Sequence, residues 1–313
     1  MHVTPAEIPL VAQLVKELCG VVLDQSKAYL IESRLSPIAA QFGCTSFSQV
    51  CRLVRAGNRQ LAHRIVDAIT TQETLFFRDG SPFEALQHRV LPDLIDARTG
   101  PAQPGTGRQN SRRSHRIRIW SAGCSTGQEP YSIGMAILET LPHVPSWDIH
   151  ILATDISDEA IARASRGRYA ACEIQRGMKA GMLEKYFFRD GETWTVRDEL
   201  RALVAFQKRN LHDPFVGLGP FDVIFCRNVA IYFDAESRKR LFFRIADCLT
   251  PDGWLFVGAS ESLLDLGPRF APHHHCRSVF YRPNLAPTPP GAAAPGAATA
   301  AAAATGWPVS PVA

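Results

Sequence analysis

The 313-residue chain carries 46% hydrophobic and 20% charged residues, the balance of a folded protein long enough for a large core plus a second small domain. Its formal charge of +4 is no argument for a nucleic-acid partner. No apolar run approaches the roughly 18–20 residues of a membrane span, MHVTPAEIPL lacks the features of a secretory leader, and eight scattered cysteines without a C-x-x-C pair read as reduced cytoplasmic thiols.

From Pro5 to about Asp67 apolar residues recur at helical spacing. Leu10, Val11, Leu14, Val15 and Leu18 share one face, with Gly20 as the C-cap. Leu30, Ile31, Leu35 and Ile38 predict a second helix stopped near Gly43. Phe47, Val50, Leu53 and Val54 predict a third, ended at Gly57, and Leu61, Ile65 and Ile69 a fourth. This all-helical domain, with its linker, is assigned to residues 1–85. The linker TTQETLFFRDGSPF, from Thr70, sets polar side chains around Leu75-Phe76-Phe77, a composition that suits a lid over a pocket.

Residues 98–114 are rich in Gly, Pro, Ser and Arg and predict a flexible insertion, a solvated surface loop despite its arginines. Strands and helices then alternate: IRIWSAG, a helix over Glu129–Leu141, DIHILATD, a helix over Asp158–Ser165, LVAFQKRNL, FDVIFCRN, a helix over Ala235–Leu249, GWLFVGA and SVFYR. That order predicts βαβ units and a mainly parallel sheet, an α/β domain over residues 86–284. Between about 167 and 209 the alternation lapses, and FFRDGETWTV predicts an antiparallel hairpin turning at Asp190-Gly191. The Ala/Pro-rich tail from 285 to 313 lacks the means to bury a core and is predicted to be disordered.

Cofactors in parallel sheets sit at the carboxyl ends of the strands. IWSAGCSTGQEP runs a strand into the turn Gly123-x-x-x-Gly127, where small residues at Ala122, Gly123 and Ser125 admit close backbone approach. The turn lacks the glycines of a pyrophosphate cradle, while Asp155 ends the next strand, where a ribose diol is held in doubly wound folds. Turn and acid together suit an adenosine-like ligand without diphosphate, S-adenosylmethionine rather than NAD. Glu129 reads equally as a ligand contact or as the partner of Thr126 in a capping box. Arg227, Asn228 and Tyr232 follow a buried strand into the place of the site, with plain packing the alternative for Tyr232. Adjacent histidines His273, His274 and His275 alternate sides on a strand, so no metal site is expected.

TTQETLFFRD, WSAGCSTGQEPYSIGM, ATDIS, FQKRNL, FDVIFCRNVAIYF and LTPDGWLFVGASESL, in this order, resemble the CheR family of chemotaxis receptor methyltransferases, from about Leu10 to Arg282. The resemblance implies an N-terminal helical domain joined to a Rossmann-like methyltransferase domain with an inserted antiparallel β-subdomain. It implies methyl transfer from S-adenosylmethionine to glutamate side chains of transmembrane chemoreceptors, leaving S-adenosylhomocysteine. The partners implied are the cytoplasmic domains of those receptors, with a receptor C-terminal peptide at the β-subdomain in some members. Carried over by position, Gln72 (where many members have Asn), Thr74, Arg78, Glu129, Asp155, Asn210, Leu211, Arg227 and Asn228 would contact the cofactor, beside Ala122 and Gly123 already read from the turn. Tyr232 and Arg227 would serve the reacting groups. A glutamate carboxylate is already ionised at neutral pH, with a reference pKa of about 4.3, so the chemistry needs positioning and exclusion of water rather than a base. The rivals are a methyltransferase of another pathway, a non-catalytic adaptor that binds the cofactor, and a base methyltransferase. The last commonly uses Asn-Pro-Pro-aromatic where this chain has Arg227-Asn228-Val229.

Overall fold

Strand β1 (Arg116–Ala122) is buried on both faces from Ile119 onward, which demands layers above and below it. In the computed structural model, which describes residues 1–24, 27–99, 115–141 and 146–284, β1 is central to a seven-stranded sheet. Its companions are β2 (Asp148–Asp155), β6 (Val204–Lys208), β7 (Phe221–Phe225), β8 (Leu249–Phe256), β9 (Phe270–His275) and β10 (Ser278–Pro283), in the order β6-β2-β1-β7-β8-β10-β9. The first five in that order pair in parallel, and β10 lies antiparallel between β8 and the edge strand β9. Strand β9 has no counterpart among the strands expected from sequence, because Pro272 and three histidines hide its alternation. The order reverses between β1 and β7, so the crevice for a ligand opens at the carboxyl end of β1.

Side chains of β1 alternate between two cores. Ile117 and Ile119 join one with Ile133, Val223 and Phe225, and Trp120 and Ala122 join the other with Ile224, Leu241 and Leu255. The hairpin of β4 (Phe187–Asp190) and β5 (Thr193–Val196) forms at the predicted turn, and β3 (Arg168–Ala170) adds a third antiparallel strand.

The helical domain packs its own core of Val11, Leu14, Val15, Ile31, Phe47, Leu61 and Ile65. Gly20 caps the helix Glu7–Cys19 with a left-handed backbone, φ 76°. Leu10 departs from the expected face and is 41% exposed, while Glu7 is buried, its carboxylate accepting from Ser48 N at 2.8 Å. The second helix runs Ala28–Leu30, widens into a π turn at Ile31–Leu35 and continues over Ser36–Gln41.

The linker after Ile69 belongs physically to the α/β domain. Phe76, Phe77 and Phe83 are buried in the core of the sheet, and Phe76 meets Tyr169 edge-on at 5.0 Å and Phe187 at 5.5 Å. Of the predicted insertion, residues 100–114 lie outside the described ones, as does the tail from 285. Arg98 and Thr99 are ordered in the helix Leu91–Thr99, with Arg98 bridging Asp222 and Asp252. Phe76 thus staples the linker to the β-subdomain within the core that it shares with the sheet. Phe76→Ala is expected to cost about 3–5 kcal/mol in urea unfolding, as large aromatic truncations in a core do, whereas a surface linker would lose almost nothing.

Candidate active site

A cleft of about 980 Å³ opens over the carboxyl end of β1, between the sheet, the linker and the helical domain. Of the residues singled out in the sequence, Gln72, Thr74, Arg78, Gly123, Glu129, Asp155, Asn210, Leu211, Arg227, Asn228 and Tyr232 line it. Ala122 does not: its side chain turns away into the core beneath Trp120, because neighbours on a strand face opposite sides.

The turn after β1 is constrained by the packing of its own chain. Gly123 has φ +84°, and a Cβ there would lie 2.4 Å from Val229 Cγ2. Gly127 has φ +97°, and its Cβ would fall 2.8 Å from the Tyr169 hydroxyl. Both glycines therefore answer to left-handed backbone and to crowding by the chain itself.

Glu129 settles against the capping alternative. The helix Gln128–Thr140 starts from a left-handed Gly127 without a side-chain cap, and Thr126 donates to Gln128 Oε1 instead. Glu129 points to the sheet, accepting from Ser121 Oγ at 2.8 Å and from Arg227 Nη1 at 3.1 Å. Asp155, at the end of β2, accepts from the backbone N–H of Ser125 at 2.8 Å and of Ser157 at 3.0 Å, one on each oxygen. Burial pushes both carboxyls up in pKa, against the pull of Arg227 on Glu129 and of the backbone donors on Asp155.

Arg227 departs from its expected role at the reacting groups. Its side chain is 1% exposed and its terminal nitrogens are committed: Nη2 to Asp79 Oδ2 at 2.7 Å and to the Arg78 carbonyl at 2.8 Å, Nη1 to Glu129. A cation buried this deeply holds acids of its own chain before it can hold a substrate. Arg78 stands differently, lining the cleft with Nη1 on the Glu73 carbonyl at 2.9 Å.

Other side chains on the lining are held from behind. Gln72 reaches Ser157 Oγ at 2.9 Å, while its carbonyl accepts from Ser125 Oγ at 3.1 Å, which ties the linker to the turns after β1 and β2. Asn210 spends its amide on the Leu18 carbonyl at 2.9 Å and on the N–H of His212 at 3.0 Å. Asn228 sits at φ +57°, its N–H donated to Glu261 Oε2 at 2.7 Å. Tyr232 lies in a short 3-10 turn whose carbonyl accepts from Val22 N at 2.9 Å. Cys19, Val21 and Ile69 of the helical domain complete the wall, and nothing local in the sequence marks them. Asp79 and Glu261 were missed too, although RDG and ASES each set an acid beside a turn.

These donors fit S-adenosylmethionine. Each carboxylate oxygen of Asp155 has accepted one hydrogen bond and can take another, the capacity a ribose diol requires. Glu129 offers buried negative charge to a cation, and the phosphate-binding glycines are missing where the ligand has no phosphate. Among the described residues no cluster of His, Cys, Asp and Glu could hold a metal ion, and no helix is long and apolar enough to cross a membrane.

Because the folded-state pKa values of Glu129 and Asp155 are raised, the stability that protonating these acids contributes is full below their ordinary range. It is lost as pH rises through the raised values. A cationic ligand favours the ionised forms, so its binding should release protons and tighten as pH rises through the same window. Calorimetric titration in buffers of differing ionisation heat measures that release; binding with no proton exchange across the acidic range would contradict it.

The family model for the CheR methyltransferase, SAM binding domain, matches residues 72–275, and that for the CheR methyltransferase, all-alpha domain, matches residues 6–70. The chain is 38% identical over 287 residues to chemotaxis protein methyltransferase 1 of Pseudomonas aeruginosa, covering 90% of this chain and 99% of that one. It is 40% identical over 264 residues to the chemotaxis protein methyltransferase of Vibrio anguillarum, covering 83% and 90%, and 34% identical over 267 residues to that of Borreliella burgdorferi, covering 84% and 90%. With both of its folded parts matched and its cleft suited to the cofactor, the chain belongs to the CheR methyltransferase family and is an S-adenosylmethionine-dependent methyltransferase.

Proposed function

We propose that this protein methylates glutamate side chains on the cytoplasmic domains of transmembrane chemoreceptors. What carries the proposal is a cleft that sets two buried acids toward a cationic cofactor and leaves Tyr232 and Arg78 at its wall. The lining supplies no nucleophile–base pair, and a glutamate substrate, ionised at neutral pH with a reference pKa of about 4.3, needs none. S-adenosylmethionine, when bound, supplies an electrophilic methyl group.

The chain's own residues do the rest. Asp155 would hold the sugar of the cofactor, and Glu129 would lie toward the positive charge of its methionine end. Gln72 and Thr74 close the linker over the cleft, while Asn210, Leu211 and Asn228 line the floor and side. Arg78 orients the incoming carboxylate, and Arg227 acts from behind by holding Glu129 and the linker. Tyr232 steers the substrate oxygen, its turn braced by the helical domain through Val22. Excluding water from the cleft raises the reactivity of the carboxylate, since charge is neutralised as the ester forms. Strand β4, at one edge of the three-stranded sheet with Phe188, Arg189 and Asp190 exposed, is suited to a receptor C-terminal peptide.

The decisive test is incubation with methyl-labelled S-adenosylmethionine and receptor-containing membranes. Label released by mild base identifies a carboxyl ester, while cofactor binding without transfer would favour an adaptor. Tyr232→Phe should lower turnover by about ten- to a hundredfold with little change in cofactor affinity; unaltered turnover would remove the role given to its hydroxyl.

A further inference from the structure

Strands β7 and β8 run in register as far as Phe225 and Phe256, and the N–H of Cys226 still reaches the Phe256 carbonyl at 2.9 Å. Past that point two more N–H groups, of Asn228 and Gly258, end on one atom, Glu261 Oε2, each at 2.7 Å. The N–H of Glu261 itself returns to the Gly258 carbonyl at 2.9 Å and closes the turn that carries it. The other oxygen, Oε1, is buried without a hydrogen-bond partner among the described residues. A carboxylate placed only to satisfy its own chain would be expected to pair both oxygens.

Asn228, the residue held in this way, has φ +57°, a left-handed backbone that asparagine adopts more readily than most residues. Three side-chain amides line the cleft. Those of Gln72 and Asn210 are spent on Ser157 and on Leu18 and His212, whereas the amide of Asn228 meets no partner among the described residues. Its space is left by Gly258, where a Cβ would lie 2.6 Å from Asn228 Nδ2 and 2.7 Å from Glu261 Oε2. The terminal nitrogens of the neighbouring Arg227 are committed within the chain, so at this strand end the amide is the group that remains for a ligand. We propose that Glu261 is a positioning residue of the cofactor site: it fixes the left-handed turn at Asn228, with clearance from Gly258, so that the amide is set on the cleft wall before the ligand arrives. This rests on the reading of the cleft as the S-adenosylmethionine site. An amide both donates and accepts, which suits the amino-acid end of the cofactor, where an ammonium and a carboxylate stand on one carbon. Holding it in advance spares the ligand the cost of ordering it.

The test is a double-mutant cycle on the full chain, read by calorimetric titration with S-adenosylhomocysteine, which keeps the amino-acid end and needs no turnover. Asn228→Gly removes the amide and suits the backbone, and it should weaken binding about five- to tenfold, the scale of a lost hydrogen bond. Glu261→Ala should weaken binding by the same factor, and the two together by no more than either alone, since Glu261 acts through the amide. Glu261→Gln, which keeps an acceptor for both N–H groups, should stay within about twofold of the wild type. Gly258→Ala crowds the amide without removing it, and should weaken binding while leaving the melting temperature nearly unchanged. Losses that multiply in the double variant would make Glu261 a prop of the fold with no part in placing Asn228. Unaltered affinity in Asn228→Gly, Glu261→Ala or Gly258→Ala would remove the contact; each result overturns the proposal. If the wild-type chain does not bind S-adenosylhomocysteine, the cofactor site itself is refuted and the proposal with it, a pattern distinct from losses confined to the variants.

Discussion

The burial of one arginine organises this protein. Arg227 leaves the end of β7 with a side chain 1% exposed and is surrounded by Glu129 from the first helix after β1 and by Asp79 and the Arg78 carbonyl from the linker. A guanidinium taken out of water must be paired, and stripping a partner from such a group typically costs about 3–5 kcal/mol. Three chain segments far apart in sequence are therefore drawn to one point. That point is the base of the cleft, so the geometry of the site and the closure of the fold have the same origin.

The helical domain is part of the site rather than an appendage to it. Its corner after the helix Glu7–Cys19 supplies Cys19 and Val21 to the wall, and donates Val22 N–H to the turn that carries Tyr232. The amide of Asn210 returns the contact through the Leu18 carbonyl, and Lys16 pairs with Asp234 at 3.0 Å just beyond Tyr232. The linker closes the remaining side, anchored by Phe76 and Phe77 in the core while its polar residues face the cleft. Alternation between inward rings and outward polar groups is what lets a short segment be both wall and strut.

Much of this was legible along the chain. Periodicity and glycine stops marked the four small helices, and the apolar runs before Gly123, Asp155 and Arg227 marked the strands whose carboxyl ends build the site. The local signal failed where a neighbour from another element decided the outcome. Leu10 is exposed, whereas Val11 and Leu14 join the core of the helical domain. Thr126-x-x-Glu129 has the spacing of a capping box, yet Glu129 turns to Ser121 and Arg227, a stronger pairing than a helix N–H. Gly123 lines the cleft as the turn suggested, while its left-handed backbone and the closeness of Val229 are set by residues distant in sequence.

By itself the sequence determined the layers, the place of the site at the strand ends, the absence of a phosphate cradle and, through six motifs in order, the family. These depend on spacing and residue type, which are properties of the chain before it folds. Only the tertiary structure decided which groups share a charge, which wall comes from the helical domain, and that Asp79 joins Glu129 on the guanidinium of Arg227. Electrostatic partnership is a matter of distance and burial, and residues 79, 129 and 227 acquire both only when the sheet, linker and helix have met.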